Sequence, residues 1–133
     1  MTGDILLEKF ENGTIEVSQF GHREHVQTAW EMLRAYPFID AFARYSRQLQ
    51  RIATAAGAPD KFNLTVTLSF MSLIAEALDA TPELNFEEFY SAHPDLGQNP
   101  LKGWYSDQRL GSDLARKIFL MPDYQVFPVS GKI

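Results

Sequence analysis

The segment KFNLTVTLSFMSLIAEALDA, residues 61–80, carries two incompatible periods, and the choice between them sets the fold class. Phe62, Leu64, Val66, Leu68 and Phe70 alternate with polar residues, which is the period of a half-buried strand. Thr65, Ser69, Ser72, Glu76 and Asp79 instead fall at steps of four, three, four and three, a continuous polar stripe on a helix that is otherwise apolar almost all round. A strand ending at Phe70 leaves Ser72, Glu76 and Asp79 without a pattern. The segment therefore reads as one long, largely buried helix over about 61–79, its stripe facing water.

The flanking sequence agrees with a helical chain. Val26, Ala29, Trp30 and Leu33 repeat at the spacing of an amphipathic helix over about 22–35, ending before Pro37. Phe38, Phe42, Tyr45, Leu49, Ile52 and Ala56 follow alternating steps of four and three, opened by Pro37 and stopped by Gly57-Ala58-Pro59. DILLEKFENG at 4–13 reads as a short helix with Asp4 as N-cap and Gly13 near its end, although Asn12-Gly13 can also close a hairpin between ILLEKF and TIEVSQF. Asn85 and Glu88 have capping-box spacing ahead of FEEFYSA, which Pro94 ends. Ser106 and Ser112 can cap two more short helices, DQRL and DLARKIFL, the second stopping at Pro122, before an extended tail DYQVFPVSGKI. No repeat, low-complexity tract or long linker divides the chain. The expectation is one all-α domain over residues 1–133, a bundle of three longer helices with short helices capping it.

Composition removes several function classes. The 133 residues are 45% hydrophobic, with ten Phe, five Tyr and two Trp, enough apolar material for a core. With no cysteine, thiolate ligands, disulfides and cysteine nucleophiles are absent. A net charge of −5 argues against a phosphate-tracking surface, and thus against nucleic acid. Arg44, Arg47 and Arg51 form one solvated stripe on a helix. No apolar run reaches the roughly 20 residues of a membrane helix, and the N-terminus lacks an export signal, so the chain is expected in the cytoplasm without a membrane partner.

Chemistry, if any, has few places to sit. His22 and His25, three residues apart in FGHREHVQTAW, open the 22–35 helix, His22 inside its apolar arc and His25 at the edge. Two imidazoles at that spacing can meet one metal ion if a carboxylate from a neighbouring helix completes the set, but no second pair or His-Glu element occurs elsewhere. The alternative is that both are core-edge residues satisfied by hydrogen bonds. His93, before Pro94, reads as solvated, and Glu76 and Asp79 as facing solvent or a neighbouring cation. Trp104, Tyr105 and Arg109 suit either a pocket rim or the joint between two short helices. No Gly-x-Ser-x-Gly elbow and no glycine-rich phosphate loop is present.

FENGTIEVSQFGHREHVQTAWEML, GAPDKFNLTVTLSFMSLI, HPDL and WYSDQRLGSDLARKIFLMPD together resemble, in order and spacing, a family of small bacterial all-helical proteins of uncharacterised function. The most specific points of likeness are His22 and His25 after Phe20 and the C-terminal SDLARKIFLMPD. The resemblance implies an all-helical domain and supplies no reaction or cofactor. Where that family carries a His-Glu pair between an aromatic residue and Thr, this chain has Asn63-Leu64 between Phe62 and Thr65; Asn is a poor ligand and Leu none, which weakens the case for a metal here. Two functions remain open. One is a pocket for a small-molecule ligand near His22 and His25, shared with Asn63, Tyr105 and Arg109; the other is a non-catalytic interaction or structural module, such as a homodimer that buries the aromatic surplus.

Overall fold

The computed structural model describes residues 3–124, and within them every regular element is helical. Segment 3–12 is a helix rather than a hairpin arm: α1 spans Gly3–Asn12, so Asp4 falls inside it. Leu6 and Phe10, one turn apart, are both buried. Gly13 ends it at φ 71°, with Gly13 N–H bonded to Phe10 O at 3.2 Å and Thr14 N–H to Lys9 O at 3.0 Å, a stop that needs a residue free to adopt a left-handed backbone.

α2 spans His22–Ala35 and α3 Phe38–Ala55. The Glu24 carboxylate accepts the Gly21 N–H at 3.0 Å and so fixes the start of α2, whose buried face is Val26, Ala29, Trp30 and Met32. α3 turns Phe42, Tyr45, Leu49 and Ile52 inward and leaves Arg44, Arg47 and Arg51 exposed, the solvated stripe expected of them. Gly57, at φ 75°, ends α3 as Gly13 ends α1, and a single 3₁₀ turn at Pro59–Lys61 leads to α4. α2, α3 and α4 pack on one another, and α1 lies against α2.

α4 spans Leu64–Ala80, starting three residues later than the periodicity suggests because Asn63 is its N-cap, accepting Val66 N–H at 3.0 Å. The polar stripe is helical as expected, but half of it is dry. Glu76 and Asp79 are exposed, whereas Thr65 is fully buried and Ser69 half-buried. A chain segment lies on them: Thr65 Oγ1 donates to Ile118 O at 2.6 Å and accepts Leu120 N–H at 3.1 Å, and Ser69 Oγ lies 3.1 Å from the Tyr105 hydroxyl. The stripe is polar there because an irregular backbone, with unpaired N–H and C=O groups, must be satisfied against it.

α5, Phe86–Ala92, has the reciprocal Asn85–Glu88 cap and packs Phe86 and Phe89 around Trp30. Arg23 stacks over Phe86 and Tyr90 and pairs with Glu87. His93 is not solvated: half-buried, it meets Thr81 Oγ1 at 2.9 Å through Nε2 and packs on Phe89. Its position at the end of α5 folds it back toward the end of α4.

α6, Asp107–Leu110, and α7, Asp113–Lys117, are capped by Ser106 and Ser112 as their sequence suggests. α7 stops at Lys117 rather than continuing to Leu120, because Ile118 O and Leu120 N–H bond to Thr65 instead of to a further helical turn. The extended tail begins as expected through Tyr124; its remainder, 125–133, lies outside the described residues. No helix among the described residues is long and apolar enough to cross a membrane.

Candidate functional site

α3 and α4 leave a cleft of about 790 Å³ between them, walled mainly by Leu49, Ile52, Val66 and Phe70 and closed at one end by the start of α2. Its volume lies in the range of small-molecule sites, as does the pattern of apolar walls with a few polar groups. His22, His25 and Asn63 all line it.

The two histidines take different positions from those the helical arc suggests. His25 is half-buried and His22 is exposed. His22 is the first residue of α2, where no preceding helical turn covers it, while Phe20 and Tyr45 close over His25. The Phe20 and His25 rings lie 4.1 Å apart, and Phe20 continues through Phe10 to Tyr45 with ring separations of 5.6 and 5.3 Å.

Hydrogen bonds fix both rings. His22 Nε2–H donates to Leu96 O at 2.6 Å, and its ring meets the Phe70 edge at 77°. The Tyr45 hydroxyl donates to the backbone carbonyl of His25 at 3.2 Å, and His25 Nδ1 lies 3.2 Å from the same phenolic oxygen. With the single tyrosine proton on the carbonyl, Nδ1 must carry the ring proton and donate to the phenol. Nε2 is then the nitrogen with the free lone pair. Burial, and secondarily the neighbouring His22 charge, push the His25 pKa down to about 4 against a weaker upward pull from Glu24, so the ring is neutral at pH 7. Burial pushes the Tyr45 phenol well above its ordinary range, so it stays protonated.

Asn63 has its amide oxygen on Val66 N–H and its amide nitrogen 2.6 Å from Leu110 O, tying α6 to α4. Leu110 also lines the cleft, so Asn63 builds the wall as well as lining it. Tyr105 and Arg109 do not join this group. Tyr105 is buried, donating to Leu120 O at 2.8 Å, and Arg109 Nε donates to Met121 O at 2.7 Å. Both hold the irregular segment after α7 rather than joining the two short helices, and neither lines the cleft. Trp104 lines a separate hollow of about 480 Å³ beside His93.

Among the described residues no group of three or more His, Asp or Glu side chains converges on a point that could hold a metal ion. His22 and His25 face no third ligand of that kind among the described residues. The sequence reading missed Tyr45, which sits on the apolar stripe of α3 and is distinguished only by its hydroxyl, and Lys61, an ordinary residue in a turn. The signal for Tyr45 was available, since a buried tyrosine normally finds a partner for its O–H and His25 was the nearest polar candidate on the facing helix.

The chain matches no family model, no curated protein and no solved structure. Its function is therefore read from its own geometry.

Proposed function

We propose that the protein is a small-molecule binding domain, a bundle of α2, α3 and α4 closed by shorter helices, whose ligand lies in the cleft between α3 and α4. The observation that carries this reading is the cleft itself: apolar, large enough for a ligand, and containing an uncharged, anchored His25. Concave, mostly apolar clefts of this size with a few polar groups in the wall are the usual setting for small-molecule ligands. A neutral imidazole with Nδ1 committed to Tyr45 offers one fixed acceptor at Nε2. That arrangement positions a ligand donor better than it abstracts protons, because a base with a pKa near 4 holds a proton weakly.

The test uses the neutral fluorophore N-phenyl-1-naphthylamine. The wild-type protein is expected to bind it at one site with a rise in fluorescence, and Val66→Trp, which fills the cleft, to lose that binding while Arg47→Ala on the opposite face keeps it. Absence of binding, or equal binding by both variants, would refute the reading.

A second observation favours the interaction-module alternative. Ile118, Phe119 and Met121 are 46%, 40% and 68% exposed in the irregular stretch that follows α7, and Leu114 within α7 is 53% exposed. Sedimentation equilibrium decides it: a dimer that Phe119→Asp dissociates supports a homodimer, and a monomeric wild type at high concentration excludes one.

A further inference from the structure

The charge around the cleft does not resemble that of the whole chain. The chain has 17 acidic and 12 basic residues, yet none of the 22 residues lining the cleft is Asp or Glu, and one, Lys61, is a full cation. Lys61 closes the 3₁₀ turn before α4, beside buried Phe62, and among the described residues it takes part in no ion pair. It marks one end of the cleft, alongside Ala56 and Ala58; Tyr45 with His25 marks the other. From Tyr45 to Ala56 the helix rises about 16 Å. Leu49 and Ile52 on α3 and Val66 and Phe70 on α4 fill the interval.

At the far end the buried polar groups are His25 and Tyr45, with the exposed His22 at the rim beside them. His25 is neutral at pH 7, since burial holds its pKa near 4, and Tyr45 is protonated. The cleft thus has the Lys61 ammonium at one mouth, apolar walls along its length and a buried, uncharged His25–Tyr45 pair at its other end. C–C bonds of about 1.5 Å laid in a zigzag advance about 1.3 Å each, so about twelve bonds, a chain of about twelve carbons together with its carboxylate oxygen, span about 16 Å.

The geometry points to a straight-chain carboxylate of about twelve carbons as the ligand, its head at Lys61 and its chain running between α3 and α4 toward His25. This rests on the ligand-binding reading above and specifies what that site takes. Lys61 supplies an ammonium point charge on a flexible stem, which suits a head group held at a mouth rather than clamped in a pocket. Side-chain carboxylates, which would repel such a head, are absent from the lining, although the chain as a whole is acidic.

The test is calorimetric titration of the full chain at pH 7.5, below the micelle concentration, with dodecanoate, dodecanol, dodecylamine and hexanoate. Dodecanoate is expected to saturate one site, to displace N-phenyl-1-naphthylamine, and to bind at least about tenfold more tightly than dodecylamine. Hexanoate, six methylenes shorter, is expected to bind at least about a hundredfold more weakly. Lys61→Ala should weaken dodecanoate about threefold and Lys61→Glu about tenfold, with dodecanol unchanged. Equal binding of dodecanoate and dodecylamine would overturn the assignment, as would a dodecanoate-to-dodecanol ratio unmoved by Lys61→Glu. If the neutral fluorophore binds and dodecanoate does not displace it, the carboxylate is wrong and the cleft stands; if the fluorophore itself does not bind, both fail.

Discussion

The neutral state of His25 has a consequence for stability that can be measured apart from any ligand. In the unfolded chain an ordinary histidine protonates near pH 6.5; in the fold His25 resists until about pH 4, because its ring lies between Phe20 and Tyr45 and near the His22 imidazole. A depressed folded pKa means that the unfolded state takes up the proton first. The stability His25 contributes is therefore whole above pH 6.5 and is lost as pH falls toward 4. The difference of about 2.5 units corresponds to about 3 kcal/mol, of which about 2 kcal/mol is gone by pH 5. Urea unfolding of wild type and His25→Gln at intervals from pH 7.5 to 4.5 isolates this contribution, since the two proteins share every other ionisable group. The two unfolding free energies should converge by about 2 kcal/mol between pH 7.5 and 5. A difference that stays constant across that range, together with an NMR titration of the His25 ring near pH 6.5, would refute the account of its burial.

Thr65→Val should destabilise by about 2–3 kcal/mol in urea unfolding, because it leaves Ile118 O and Leu120 N–H without partners against a buried methyl; no loss would mean that water satisfies both. Thr28→Val should do the reverse and stabilise by about 1 kcal/mol: Thr28 is fully buried with no partner for its hydroxyl among the described residues, so removing the oxygen removes an unmet desolvation cost. A lower melting temperature for Thr28→Val would show that the hydroxyl is satisfied after all.

The parts of the fold that the sequence made legible are those determined locally. α2 and α3 follow from an apolar stripe with Pro37 between them and a glycine stop, and these signals act over a single turn. The polar stripe of α4 identified a helix and misidentified its surroundings. Thr65 and Glu76 lie on one stripe and look alike in sequence, yet Thr65 is covered by residues 53 and 55 positions away. The same distant pairing ends α7 early, so both discrepancies have one cause, a long-range contact that periodicity does not encode. The cleft is partly legible: the sequence groups His22, His25 and Asn63 as the structure does, but composition alone does not separate Tyr105 and Arg109 from them, since a ring with a polar tip beside a guanidinium suits the anchoring of a chain segment as well as a pocket rim.

Asn63 connects these two assemblies. One half of its side chain starts α4 and the other holds Leu110, the residue through which the C-terminal segment reaches the cleft. Tyr105 and Thr65 then fasten that segment along the opposite side of α4, which leaves the face toward α3 as the side that is not fully covered. A histidine at position 63 could cap a helix only weakly and has no flat amide to share between an N–H acceptor and an N–H donor contact at once. The amide found here builds the wall of the cleft, with His25 a neutral polar group lining it.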